Sequence, residues 1–152
     1  MIHFLNLIRW KNLLMIALMQ YLVKYALLLP FHESHSVLTT LNDFNFFLLV
    51  LATLCIAAGG YVINDIYDVE TDKINKPNQV IIHKHISEKN AYTLFIILNI
   101  LGVGLGFYIT NEINKSGFFA IFFIASALLY IYSTSLKQIA LVGNIVVSIV
   151  VA

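Results

Sequence analysis

The chain has 152 residues, 60% of them hydrophobic and 11% charged, with a mean hydropathy of +0.86 and a formal net charge of +1. Soluble domains carry about 45–50% apolar and about 25% charged residues, so this composition points to the membrane. Two prolines, seven glycines and one cysteine exclude a disordered chain, a collagen-like repeat and a disulfide scaffold, and the absence of a basic block gives no reason to expect nucleic acid.

Four complete apolar runs and one incomplete run follow in chain order. They lie at roughly 13–29, 44–63, 91–109 and 118–136, and the fifth begins near Ile139. A bilayer-spanning helix needs about 20 mostly apolar residues. The strands of a membrane barrel would instead alternate with period two over about ten residues. Continuous runs therefore predict an all-α polytopic transmembrane bundle of four full helices plus the start of a fifth. The first run follows Arg9 and Lys11, as a signal peptide would, but it ends Leu28-Leu29-Pro30-Phe31 and not in small residues, so it is expected to be a retained helix. The fifth run stops at Ala152 with no closing cap or charge, which leads to the expectation that the chain is truncated at its carboxyl end.

Loop charges give an orientation. The amino-terminal flank holds Arg9 and Lys11, the first loop no basic residue, and the second Lys73, Lys76, Lys84 and Lys89. The third and fourth loops hold only Lys115 and Lys137. The positive-inside bias then puts the amino terminus and the long second loop in the cytoplasm of a bacterial or archaeal cell. Lys24, inside the first run, is expected to snorkel towards the outer face.

The chemistry concentrates after the second run, in Asn64-Asp65-Ile-Tyr-Asp68-Val-Glu70-Thr-Asp72. On a continuous helix Asp65, Asp68 and Asp72 share one face, Asn64 borders it and Glu70 points elsewhere. Three carboxylates on one stripe repel one another unless a cation lies between them. Acids at a helix carboxyl end also oppose the macrodipole, at about 0.3–1 kcal/mol each. Mg²⁺ answers both problems, because it takes carboxylate oxygens and completes its shell with water and substrate phosphates. A solvated helix end is the bland alternative.

At these residues the sequence resembles the UbiA-type intramembrane prenyltransferases. Asn64-Asp65-x-x-Asp68-x-x-x-Asp72 is similar to the family's first aspartate-rich motif. The following Ile74-Asn75-Lys76-Pro77-Asn78 and Ile86-Ser87 resemble the branch of geranylgeranylglyceryl-phosphate prenyltransferases and chlorophyll synthases. Arg9-Trp-x-Asn12 is similar to the family's approach to its first helix, and Tyr132-Ser133-x-x-Leu136-Lys137 with Gly143-Asn144 to its fourth and fifth. The resemblance implies Mg²⁺-dependent transfer of a prenyl group from an allylic prenyl diphosphate to a lipophilic acceptor. It implies that Asp65, Asp68 and Asp72 hold the metal, and that Asn64, Lys137, Tyr132 and Asn144 contact substrate.

Two departures accompany it. The arginine usual after Asn78 is absent, with Lys73, Lys76 or Lys84 as substitutes, and His83-Lys84-His85 stands near a usual glycine. The family's second aspartate-rich motif does not occur in these 152 residues, so the chain by itself is expected to be inactive and to need a carboxyl-terminal half carrying that motif. A quinone or tetrapyrrole acceptor, a non-catalytic isoprenoid-binding protein and a cation transporter are the competing functions. Gly102 and Gly106 are expected to form a small-residue packing face. Cys55 and the aromatic side chains of the third and fourth runs are expected in packing or lipid contact, and His32 and His35 in an outer loop.

Overall fold

The structure is a computed structural model that describes residues 2–30, 41–77 and 80–135. The described residues form six α-helices: α1 (Ile2–Leu7), α2 (Trp10–Leu22), α3 (Asp43–Tyr67), α4 (Val69–Asn75), α5 (Glu88–Glu112) and α6 (Phe119–Thr134). The expected fifth span lies outside the described residues, as do His32, His35, Lys137 and Asn144. The one β-feature among the described residues is an isolated bridge between Ile82 and Ile86.

Among the described residues three helical segments are long and apolar enough to cross a membrane: Asp43–Tyr67, Glu88–Glu112 and Ser116–Thr134, the last starting with a 3₁₀ turn. At 1.5 Å per residue the two 25-residue helices reach about 37 Å, beyond the ~30 Å hydrocarbon core. Their amino-terminal ends are fixed by side-chain caps. Asn42 accepts a bond from the Asn45 amide at 2.7 Å, and Ser87 accepts one from the Asn90 amide at 3.2 Å. The first run departs from a regular helix: α2 widens at Leu22 into a π-helical stretch, Val23–Leu28.

Of the three spanning helices α3 is the most enclosed and α6 the least. The large apolar side chains of α5 and α6, among them Ile97, Ile100, Phe107, Ile121 and Phe123, are exposed on the protein's surface, a distribution suited to lipid. Small residues let the spans approach. Gly102 and Gly106 are buried as expected, but they serve different neighbours, Gly102 meeting Ala52, Cys55 and Ile56 on α3 and Gly106 meeting Phe122 on α6. A polar joint ties the same three helices together. The Asn99 amide donates to the Phe95 carbonyl at 2.8 Å, the Ser126 hydroxyl bonds to the Asn99 oxygen, and Asn99 lies against Gly59.

The ends of the bundle are held differently. At one end Lys24 bonds Asp43 at 2.5 Å and lies 4.4 Å from the Phe46 ring centre, so it is paired with a carboxylate at the start of α3. At the other end an apolar cluster of Leu7, Val62, Ile63, Ile66, Val69, Ile82 and Ala91 joins α1, the end of α3, the 80–87 loop and the start of α5. This cluster holds the acidic segment and the amino-terminal helix against one another.

Candidate functional site

The acidic segment is not one continuous helix. α3 ends at Tyr67, Asp68 stands at the junction with φ −90° and ψ −2°, and α4 begins at Val69. Helical hydrogen bonds still bracket the junction, Asp68 to Asn64 at 3.0 Å and Asp72 to Asp68 at 2.7 Å, so the register survives the break. The break changes the electrostatics expected from the sequence. Asp72 and Glu70 fall in the first turn of α4, where the macrodipole favours acids, and Asp65 alone remains in the last turn of α3, where it is opposed.

Asp65, Asp68 and Asp72 line one cavity of about 770 Å³. All three are half-buried, whereas Glu70 is exposed. Glu70 bonds Lys73 at 2.6 Å, and that bond holds its carboxyl below the usual range. The stripe read from the spacing is thus present, with Glu70 outside it. Asn64 does not line the cavity. It acts through Asp68, donating from its side-chain amide to the carboxylate at 2.8 Å.

The same cavity is lined by residues of α1, α2 and the 80–87 loop, including Trp10, Lys11 and His85, by Arg9 between α1 and α2, and by Lys76 directly after α4. The Arg9 guanidinium donates to Asp65 at 2.8 Å and lies 5.1 Å from the Tyr61 ring centre. With the side chains 43% and 19% exposed, solvent screens this pair, and its share of fold stability is about 0.2–1 kcal/mol. Arg9 also has φ 52° and ψ 54°, a left-handed conformation that costs a non-glycine residue about 1–2 kcal/mol. This turn separates α1 from α2. In the sequence Arg9 counted as a flanking charge and as part of the Arg9-Trp-x-Asn12 resemblance, and its pairing with a residue 56 positions away left no local signal.

The three lysines considered as substitutes for the absent arginine separate here. Lys76 lines the cavity, Lys73 is paired with Glu70, and Lys84 donates to the Pro77 carbonyl at 2.6 Å, closing the loop. His85 lines the cavity and stacks on His3 at 3.7 Å between ring centres, while His83 turns towards Glu88 at 3.5 Å. Tyr132 does not line the cavity: Ser133 is the side chain that α6 buries in this turn, and Tyr132 points about 100° away from it. Lys137 and Asn144 lie outside the described residues.

No three His, Cys, Asp or Glu side chains among the described residues converge into a ready-made metal cage. The donor set nevertheless suits Mg²⁺, which is commonly bound by one or two carboxylates and leaves its other positions to water and substrate phosphates. Carboxylates beside Arg9, Lys11 and Lys76 suit a metal that arrives with a polyanion better than a bare ion.

A profile of the UbiA prenyltransferase family matches residues 13–152. The chain belongs to the UbiA prenyltransferase family. Enzymes of the UbiA family are typically Mg²⁺-dependent, and three candidate spans in a UbiA chain make this an integral membrane protein. The digeranylgeranylglyceryl phosphate synthase of Sulfolobus acidocaldarius is 44% identical over 104 residues, covering 68% of this chain and 36% of the synthase. That of Saccharolobus solfataricus is 43% identical over 61% of this chain and 31% of its own, and that of Methanococcus aeolicus 36% identical over 70% and 38%. A solved structure from work on digeranylgeranylglyceryl phosphate synthase in membranes shares the fold with a TM-score of 0.75 and 26% identity, over 97% of this chain and 48% of that one. The chain therefore spans about a third of the length of these curated UbiA relatives and about half of the solved one.

Proposed function

We propose that this chain supplies the amino-terminal, diphosphate-binding half of a prenyltransferase that alkylates a glycerophosphate isoprenoid lipid. The observation that carries the reading is the shared cavity: three carboxylates from the α3–α4 junction line it together with cations from α1–α2 and the loop after α4. The acceptor class is supported by the relatives, several of which are digeranylgeranylglyceryl phosphate synthases, in preference to a quinone or tetrapyrrole.

In this reading Asp65, Asp68 and Asp72 would hold Mg²⁺, which would supply stabilisation of the negative charge that develops on the leaving oxygens. Asn64 orients Asp68, and Arg9 and Lys76 bind the diphosphate's outer oxygens. Lys137 would add a further cation. The allylic carbon–oxygen bond breaks, diphosphate leaves, the acceptor hydroxyl oxygen bonds to the allylic carbon, and its proton is released. The apolar helices beyond the cavity exclude water that would otherwise capture the carbon. Tyr132 and Asn144 are proposed to contact substrate within the complete domain. The loop charges support a cytoplasmic amino terminus and a cytoplasmic aspartate motif.

The test is transfer of a labelled geranylgeranyl group from its diphosphate to geranylgeranylglyceryl phosphate by the intact protein in lipid with Mg²⁺. Product that disappears with chelator and with Asp68→Asn supports the proposal. No transfer to this or any other isoprenoid acceptor would sink it in favour of a non-catalytic lipid-binding role.

A further inference from the structure

We infer that the cleft between α1 and the start of α5 seats the acceptor, an isoprenoid lipid with a phosphomonoester head, and that the head is received by the stacked His3 and His85. This rests on the prenyl-transfer reading and names a second part of that site. The aspartate cavity is joined by a smaller one of about 330 Å³, and His3 and His85 line both. Beyond the two rings the smaller cleft is bounded mainly by Phe4, Ile86 and Leu94, with Asn90 as its polar member. The two imidazoles thus stand between an apolar trough and a chamber lined by Lys11, Lys76 and the carboxylates.

That sequence of surfaces matches an amphiphile whose head is anionic. Each imidazole offers an N–H donor in either tautomer, and Lys11 and Lys76 lie on the same side of the junction as the chamber. The loop is built to present His85 alone: His83, at φ 68°, turns to Glu88, and Lys84 is tied to the Pro77 carbonyl. Stacking on His3 then fixes the plane of the His85 ring. Placement of the head at this junction has a chemical consequence. In a glyceryl lipid phosphate the free hydroxyl is on the carbon next to the phosphate ester. A phosphate held at the imidazoles therefore keeps the hydroxyl beside the junction, at the edge of the chamber where the diphosphate would sit, while the isoprenoid tail stays in the trough.

Trp10, the chain's one tryptophan, lines the larger cavity and reports binding by its fluorescence. The full chain in phosphatidylcholine nanodiscs is titrated with geranylgeranylglyceryl phosphate and with the same lipid lacking phosphate. The phosphorylated lipid is expected to bind at least about tenfold more tightly, the effect of one hydrogen bond to a charged group. His85→Leu should erase that preference and His85→Arg restore it, while Leu94→Gln should weaken both lipids by a similar factor. Equal binding of the two lipids to the unmodified chain, or a preference that survives His85→Leu, overturns the head assignment. Leu94→Gln without effect overturns the tail assignment. If melting shows that His85→Leu does not fold, His3→Leu gives the same reading. Titration of the same samples with geranylgeranyl diphosphate and Mg²⁺ separates the two proposals. Phosphate preference without Mg²⁺-dependent diphosphate binding refutes the prenyl-transfer reading and keeps the lipid site, and the converse refutes the lipid site alone.

Discussion

Replacing Gly102 by alanine tests how closely α3 and α5 must approach. A Cβ at this position would lie 2.7 Å from Ile56 Cγ1, 3.0 Å from the Ala52 carbonyl oxygen and 3.2 Å from Cys55 Cβ. The isoleucine can rotate, but the carbonyl is fixed in the hydrogen-bond ladder of α3, so the helix axes have to separate. Ala52 and Ile56 are buried, so the separation is felt in packed structure, where added methylenes cost about 1–3 kcal/mol. Alanine also gains about 1 kcal/mol of helix propensity over glycine, which obscures the sign of a single measurement. Gly104 removes that ambiguity, because a Cβ there meets nothing within 4 Å. Both substitutions carry the same propensity gain, and their difference isolates the contact. Gly102→Ala should be about 1–3 kcal/mol less stable than Gly104→Ala, measured by reversible denaturant unfolding in mixed micelles. Gly106→Ala should fall between them, since its obstacle is the half-buried Phe122 ring, which can swing aside. Equal stabilities at 102 and 104 would refute the close approach of α3 and α5.

The remaining predictions concern the cavity and the polar joint. Asp68→Asn should weaken Mg²⁺-dependent binding of geranylgeranyl diphosphate by about 10–100-fold or more, the range seen even for supporting residues around metal sites; calorimetric titration showing unchanged affinity would contradict a metal-binding role. Arg9→Asn should leave stability within about 1 kcal/mol, because the lost pair is screened and asparagine tolerates the left-handed turn, yet should cost about tenfold in diphosphate affinity. A large loss of stability without a change in affinity would make Arg9 a structural residue. Asn99→Leu should destabilise the three-helix joint by about 0.6–1.7 kcal/mol, the range for hydrogen bonds between membrane helices, and a double-mutant cycle with Ser126→Ala should show coupling.

The spans were legible because their signal is composition over some twenty residues, and a break of one residue does not erase it. The stripe of Asp65, Asp68 and Asp72 was legible because spacing maps directly onto a helix face, and the break at Asp68 kept the helical hydrogen bonds on either side. The dipole argument for those acids was wrong for Asp72, since a single junction residue converts the end of one helix into the start of another. Arg9 and the His3–His85 stack were not legible. Both join segments far apart in the chain, and the force that brings them together is the apolar cluster around Leu7, Ile63, Ile82 and Ala91, whose members look like ordinary span-flanking residues. A motif resemblance identifies Tyr132 without saying which way it turns, and one position along α6 separates the buried Ser133 from the half-buried Tyr132.

The charges around the cavity bear on how its ligands arrive. Among the described residues it is lined by three aspartates and by the three full cations Arg9, Lys11 and Lys76, so those formal charges cancel. A bare Mg²⁺ would be attracted by the carboxylates and repelled by the cations lining the same cavity, and a bare diphosphate would meet the opposite balance. Together they carry charges of both signs, and each can lie on the side that favours it. Coupling between the two must then be positive, and linkage makes it reciprocal: diphosphate raises the affinity for Mg²⁺ by the same factor that Mg²⁺ raises the affinity for diphosphate. On the proposed reading the Arg9–Asp65 pair would set its size, because a bound polyanion would draw the guanidinium away from Asp65. Arg9→Asn should therefore bind Mg²⁺ alone more tightly than the unmodified chain and show weaker coupling. Calorimetric titration of each ligand with and without the other measures both, and independent binding of the two would mean that the ion pair is not the element that links them.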